Sequence, residues 1–232
     1  MRSVVLTGIS RGLGADLFAQ LRGDGDRIFG IGRRFTDEQV SLATAEPSRV
    51  RLHQAELADP TTLPSADTLR EFLADGSGPA VLIHNAGVVE PVGPIGQLPE
   101  AAAVTAVGVN LTAPMLLTNA FMNALPPGRP ARVLFISSGA AHRTIKNWSV
   151  YSATKRGAEM FFEGLRAEHP GLYVANVNPG VMDTGMQAAL RASEFPDRDR
   201  YVELHERGEL PDPADVARRI IEQHLDQPIT SE

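Results

Sequence analysis

Three residues in the middle of this 232-residue chain could move a proton to or from an oxygen: Ser138, Tyr151 and Lys155. Tyr151 and Lys155 stand four apart, so on a helix they share a face and their polar ends can meet. A phenol of pKa about 10 is a poor acid–base couple at neutral pH, and a nearby ammonium favours the phenolate. Lowering that pKa by about three units would take roughly 4 kcal/mol of differential interaction. Ser138 follows the apolar run Arg132-Val133-Leu134-Phe135-Ile136, which places its hydroxyl just past the carboxyl end of a strand. Most tyrosine–lysine pairs at this spacing are only surface neighbours. Scarcity argues for more here, because Lys146 and Lys155 are the only lysines and the other 20 of the 22 basic residues are arginines.

These side chains need a scaffold, and the apolar pattern supplies one. Strand-length runs occur at Ser3-Val4-Val5-Leu6-Thr7, Arg27 to Gly32, Arg49 to His53, Ala80 to His84, Arg132 to Ile136 and Leu172 to Val177. Helical patterns fall between them, from Ala15 to Leu21 and near 37–45, 61–75, 97–125, 149–168 and 213–225. Strands apolar on both faces and separated by helices predict a parallel sheet covered on both sides, a single doubly wound α/β domain over 1–232. Residues 182–211 are the least regular; Asp197-Arg198-Asp199-Arg200 reads as a solvated turn or helix edge, or the region forms a lid on the substrate side. The first β–α turn carries Thr7-Gly8-Ile9-Ser10-Arg11-Gly12-Leu13-Gly14. Glycines there permit a tight turn and let a pyrophosphate approach the helix N-terminus, although three glycines can also make a plain loop.

Composition narrows the function. The net charge of −6 argues against a nucleic-acid-binding face. Absence of cysteine removes disulfides, thiol nucleophiles and Cys-based metal sites. The six histidines show no metal-ligand spacing, so no metal is expected. The N-terminus lacks a signal-peptide pattern. Residues 101–128 carry no charge but are interrupted by polar residues and by Pro114, Pro126 and Pro127, so no membrane span is expected. The expectation is a cytoplasmic protein with a buried or subunit-facing helix there.

The motifs together resemble the short-chain dehydrogenase/reductase superfamily along nearly the whole chain. They run in order: T-G-x-x-x-G-x-G at 7–14, Asn85-Ala86-Gly87, Asn110, Ser138, Y-x-x-x-K at 151–155, and Pro179-Gly180. Ser137-Ser138-Gly139-Ala140-Ala141, Trp148 and the run from Pro179 to Gln187 look closest to bacterial benzil reductases and sepiapterin reductases. The resemblance implies a Rossmann-type sheet ordered 3-2-1-4-5-6, with the seventh strand of relatives missing or truncated and a more open substrate side. It implies that Tyr151 protonates a carbonyl oxygen while hydride arrives from a nicotinamide. Ser138 would hold that oxygen, and Lys155 would bind the nicotinamide ribose and lower the tyrosine pKa. Asn110 would hold a relay water, or else only satisfy backbone groups at a helix kink. The dinucleotide would lie along Gly8, Ser10, Arg11, Gly12, Leu13 and Gly14, past Asn85, Ala86 and Gly87. It would also meet Glu56 and Leu57 near the adenine, and Pro179, Gly180, Val181 and Thr184 at the carboxamide end.

Charge then bears on the cofactor. The second strand ends in Gly32-Arg33-Arg34 with no acid at its tip, and Arg11 sits in the glycine loop, which favours NADPH/NADP+ over NAD. His84 stands where relatives have an asparagine and reads as packing; His142 reads as solvent-exposed. Ala140, Trp148, Met182 and Met186 would surround the substrate beside Ser138. Apolar, aromatic and thioether groups suggest a bulky or aromatic ketone or diketone, although the methionines could be ordinary core. The chain stops at Thr230-Ser231-Glu232 without the carboxylate-bearing last strand with which sepiapterin reductases anchor a pterin. Two alternatives stand beside carbonyl reduction: a sepiapterin-type pterin reductase, and a non-catalytic NADP(H)-sensing regulator. Helices 101–125 and 149–168 are the pair that form homodimers in many relatives.

Overall fold

The unbroken apolar runs become six parallel strands because each must be buried on two faces at once. They are β1 (Ser3–Thr7), β2 (Arg27–Gly32), β3 (Val50–Gln54), β4 (Ala80–His84), β5 (Ala131–Ile136) and β6 (Tyr173–Val177). The computed structural model describes residues 1–191, 195 and 198–228; Asp197 and the terminal Thr230-Ser231-Glu232 lie outside these. Strand order is β3-β2-β1-β4-β5-β6, as expected, and among the described residues the sheet has no seventh strand. Side chains alternate between two cores. Val5, Leu82, Val133 and Phe135 point to one face, and Val4, Leu6, Val81, Ile83, Leu134 and Ile136 to the other.

Helices α1 (Gly12–Gly23), α2 (Asp37–Ala45) and α9 (Pro213–His224) cover the second face. Helices α3 (Ala66–Ala74), α5 (Ala113–Ala124) and α6 (Ser149–Glu168) cover the first. Side-chain caps start α2 at Thr36, α3 at Ser65 and α9 at Asp212, each accepting from a first-turn N–H. The N-cap of α1 is Arg11, with no side-chain cap, so that helix turns its free N–H groups towards the loop before it. The segment expected as α3 over 61–75 splits into a 3-10 turn, Pro60–Thr62, and α3 itself, because Asp59 and Ser65 each begin a new helical turn.

The single helix expected over 97–125 is also divided. Helix α4 (Glu100–Val107) passes through a π-helical turn, Gly108–Thr112, into α5, and the N–H of Ala113 donates to the Gly108 carbonyl five residues back. Pro114 has no N–H for the Asn110 carbonyl, so the α-helical ladder cannot run through this point. By length and composition Glu100–Ala124 could cross a membrane, yet Ala113, Leu117, Phe121 and Ala124 are spent on the protein core. The region expected as irregular holds α7 (Gly185–Arg191) and α8 (Arg198–Glu206).

The chain leaves β1 toward β3, then returns across β1 to β4, which opens a crevice at the carboxyl ends of β1 and β4. Two close approaches floor that crevice. Gly8 has φ +73°, and a Cβ there would lie 3.0 Å from the Ala86 Cα; a Cβ on Gly14 would lie 2.0 Å from the Gly8 carbonyl oxygen and 2.4 Å from Asn85 Nδ2. Gly14→Ala should therefore force α1 away from the loop. Overpacking of this kind costs about 2 kcal/mol, read as a fall of roughly 4–8 °C in Tm for a chain of this size. An unchanged Tm with unchanged dinucleotide affinity would show that the approach is not tight.

Candidate active site

The crevice is a cleft of about 1200 Å3, and every residue expected at the site except Asn110 lines it. The glycine loop forms one wall. Asn85 locks it to β4: its side-chain Nδ2 donates to the carbonyls of Thr7 and Gly8, both at 3.1 Å. The Thr7 hydroxyl in turn accepts from the N–H groups of Asn85 and Ala86 at 3.0 Å. Thr7 thus sets the Asn85-Ala86-Gly87 turn, a role its place in the glycine motif did not reveal. Thr184 faces the loop from the opposite side, with its Cγ2 3.3 Å from where a Gly12 Cβ would stand. Glu56 and Leu57 line the far end with Arg33 and Arg34, and the Arg33 guanidinium stands 3.6 Å from the Glu56 carboxylate.

Asn110 lies beneath the cleft floor, fully buried. Its Oδ1 accepts from Val88 N at 2.9 Å, and its Nδ2 donates to Val88 O at 2.8 Å and to Thr154 Oγ1 at 3.2 Å. The amide therefore clamps the turn after Gly87 to helix α6, through a π-helical turn that sequence periodicity does not report.

Ser138, Tyr151 and Lys155 converge where β5 ends and α6 begins its third residue. Ser138 Oγ accepts from Ala140 N at 3.2 Å, and its hydroxyl is hydrogen-bonded to the Tyr151 phenol at the edge of the cleft. Lys155 is buried, with Nζ donating to the Ile136 carbonyl at 2.8 Å and lying 4.6 Å from the centre of the Phe135 ring. Burial brings its pKa down to about 8, against the pull of the Glu159 carboxylate one helical turn on. The Tyr151 phenol moves opposite to the expectation. Burial raises its pKa, and the neighbouring Ser138 hydroxyl only partly offsets this. The expectation counted the Lys155 ammonium and not the burial of the phenol, which the protein holds protonated at neutral pH.

Glu159, which the sequence did not single out, ties the two arms of the site together. Its side chain is 5% exposed and accepts from Ser137 Oγ at 2.5 Å and pairs with His142 Nε2 at 2.9 Å. Helix α6 is thereby fastened to the loop that carries Ser138. His142 is exposed on its other side and borders a shallower hollow outside the cleft. His84 is packing, as read: it is buried, bonded to Thr118 Oγ1 at 2.8 Å, and burial beside Lys155 takes its pKa to about 3. Among the described residues no group of acids and histidines could hold a metal.

The other wall is aromatic. Trp148 stands edge-on to Tyr151 at 5.9 Å between ring centres, stacks with Tyr201 at 6.3 Å and tilts against Phe195 at 5.3 Å. Ala140 and Met186 pack here, with Leu190. Met182 lies in the core beneath α1 and α9 and only edges the cleft. Leu190, Tyr201 and Phe195 fall in the 182–211 region expected as a solvated edge or a substrate-side lid, but the sequence did not single out these residues as the ones that meet Trp148.

Residues 2–194 match the short-chain dehydrogenase family. The chain belongs to that family. It is 36% identical to a benzil reductase ((S)-benzoin forming) of Bacillus cereus, over 95% of this chain and 92% of that one. It is 32% identical to the sepiapterin reductase of Rattus norvegicus, over 94% and 88% of the two chains. A solved Beutenbergia cavernae protein, a candidate NAD(P)-dependent gluconate 5-dehydrogenase with NADP bound at low occupancy, superposes with a TM-score of 0.76 at 26% identity. That alignment covers 95% of this chain and 88% of the other. As a short-chain dehydrogenase the chain is an oxidoreductase that uses a nicotinamide cofactor, and its residues fit one. The close glycine approaches, the uncapped N-terminus of α1 and the arginines at the far end suit a dinucleotide's pyrophosphate and sugar.

Lys155 makes the short-chain dehydrogenase testable by pH. Below pH 8 the lysine is protonated folded or unfolded, and the burial penalty is present in full. Between about 8 and its ordinary value of 10.5 the folded protein has already released the proton, so stability rises with pH. Above about 10 the raised Tyr151 acts in the opposite sense. Lys155→Met should raise the stability of the cofactor-free protein at pH 7 by about 3 kcal/mol at most, flatten the rise between pH 8 and 10, and abolish activity. Denaturant melts at pH 7 and 9.5 check this; an equal slope in both proteins would contradict it.

Proposed function

We propose that this protein reduces a bulky or aromatic ketone or diketone to the alcohol with NADPH. The observation that carries the reading is the pair of hydroxyls, Ser138 and Tyr151, at the foot of the wall made by Trp148 and Tyr201. A bound nicotinamide supplies the hydride. Ser138, its acceptor side already occupied by Ala140 N–H, donates a hydrogen bond to the carbonyl oxygen and fixes it. Tyr151, held protonated by burial, gives that oxygen its proton as charge develops. Lys155 keeps a cation beside the tyrosine that stabilises the phenolate left behind. Glu159 favours the charged form of that lysine. The apolar wall excludes water and suits a flat substrate, as does similarity to a benzil reductase. A non-catalytic sensor would have no need of the buried lysine and its hydrogen-bonded neighbours.

The choice of NADPH is supported by Arg11, Arg33 and Arg34 along the cleft, with no acid at the tip of β2. Planar guanidinium groups suit a 2′-phosphate. Glu56 meets Arg33, and among the described residues Arg34 and Arg11 have no carboxylate partner. NADPH absorbance followed with aromatic diketones, aldehydes and sepiapterin tests both parts. Tyr151→Phe should lose about a hundredfold or more in kcat. Equal rates in the two proteins, or faster turnover with NADH, would overturn the reading.

We further read the protein as a cytoplasmic homodimer joined through α4, α5 and α6. Val104 is 72% exposed, Met160 56% and Leu116 42%, an apolar surface on those helices that a second copy would cover. Sedimentation at low protein concentration should show twice the 24.9 kDa chain mass. A single species of one chain would rule the dimer out.

A further inference from the structure

The cleft is strongly basic in a protein that is acidic overall. Among the described residues its wall carries five arginines and Lys155 but one carboxylate, Glu56, and that carboxylate sits beside Arg33. Arg11, Arg33 and Arg34 suit the dinucleotide. Arg143 and Arg200 do not, because they stand at the opposite end. Arg143 lies in the loop between Ser138 and Trp148, where it divides the cleft from the outer hollow. Arg200 precedes Tyr201 on α8, and Tyr201 stacks on Trp148.

Both guanidinium groups are exposed and make no ion pair or hydrogen bond with any described residue. Their neighbours differ. Arg191 pairs with Asp183 at 3.4 Å, Arg198 donates to the Arg191 carbonyl at 2.8 Å, and Arg207 pairs with Glu203 at 3.7 Å. Asp183 and Glu203, two carboxylates of this part of the chain, are thus held by other arginines. Arg143 and Arg200 line the same cleft as Ser138, Tyr151, Trp148 and Tyr201.

We infer that the substrate is an anionic aromatic carbonyl compound, whose carboxylate or equivalent acid group is held at the mouth of the cleft by Arg143 and Arg200. The inference rests on the carbonyl-reductase reading for the identity of the reacting group, but not for the anion site. Guanidinium groups bind planar carboxylates through paired hydrogen bonds. At an exposed mouth the attraction is partly screened by salt. The anion is remote from the reacting oxygen and is held equally in ground and transition states, so its contacts lower KM and leave kcat unchanged.

Trp148 is the only tryptophan in the chain and lies in this wall, so its fluorescence reports binding without turnover. The probes are 4-benzoylbenzoate and its neutral amide, titrated into the NADP+-saturated protein. The carboxylate should bind about tenfold more tightly than the amide at low salt. The preference should shrink several-fold at 0.5 M salt and vanish in Arg143→Ala/Arg200→Ala, while affinity for the amide stays within twofold. Equal affinity for the two probes in the native protein, or a preference that survives in the double variant, would overturn the anion site. NADPH oxidation with the same two compounds separates this result from the parent reading. A carboxylate preference in binding with no turnover of either compound would refute the ketone reading and leave the anion site standing.

Discussion

A lysine ammonium held away from water between β5 and α6 constrains everything around the cleft. Burying such a charge is costly unless it is paired and hydrogen-bonded, and Lys155 is met on several sides. The Ile136 carbonyl accepts from it, the Phe135 ring lies beneath it, and Glu159 faces it from the next turn of the same helix. The same carboxylate holds Ser137 and His142, so the charge that steadies the lysine also anchors the loop bearing Ser138. His84, packed nearby, is kept neutral by burial and by the same ammonium. The protein thus carries a locally unfavourable cation beside Tyr151, 5.9 Å from the centre of its ring.

Arginine serves two purposes here. At the amino ends of the strands it is structural. Arg27 donates to the carbonyls of Ser48 and Phe72 and lies over the Phe72 ring, and Arg132 donates to the His224 carbonyl and lies over Tyr173. At the carboxyl ends arginines are exposed along a cleft with a single acid among the described residues. Both uses suit a planar, always charged group that can be satisfied by backbone oxygens or by an anion. Of the two lysines, Lys146 is exposed and Lys155 is the buried one whose pKa is moved.

Much of the site was legible from residue type and spacing. The Tyr151–Lys155 pair, Ser138 after β5 and the glycine turn after β1 depend on local geometry, in which helix periodicity and strand ends position the groups. Helices α2 and α6 match their expected spans, because capping and amphipathic period are local signals. The π-helical turn at Asn110 was not legible: its cause, Pro114, lies four residues on and its amide partners are Val88 and Thr154. Glu159 looked like any charged helix residue until Ser137 and His142 were brought against it.

From sequence alone came the parallel sheet, its covering on both faces and the position of three polar groups at one edge, since alternation, run length and i, i+4 spacing are written in neighbouring residues. Only the tertiary structure decided the protonation balance and the shape of the substrate wall. Tyr151 is raised because burial outweighs its polar neighbour, and burial depends on which distant segments close over it. The wall exists because α7 and α8 bring Leu190, Phe195 and Tyr201 onto Trp148 from some fifty residues away. Contacts at that separation are fixed by packing of the whole chain, and no local pattern records them.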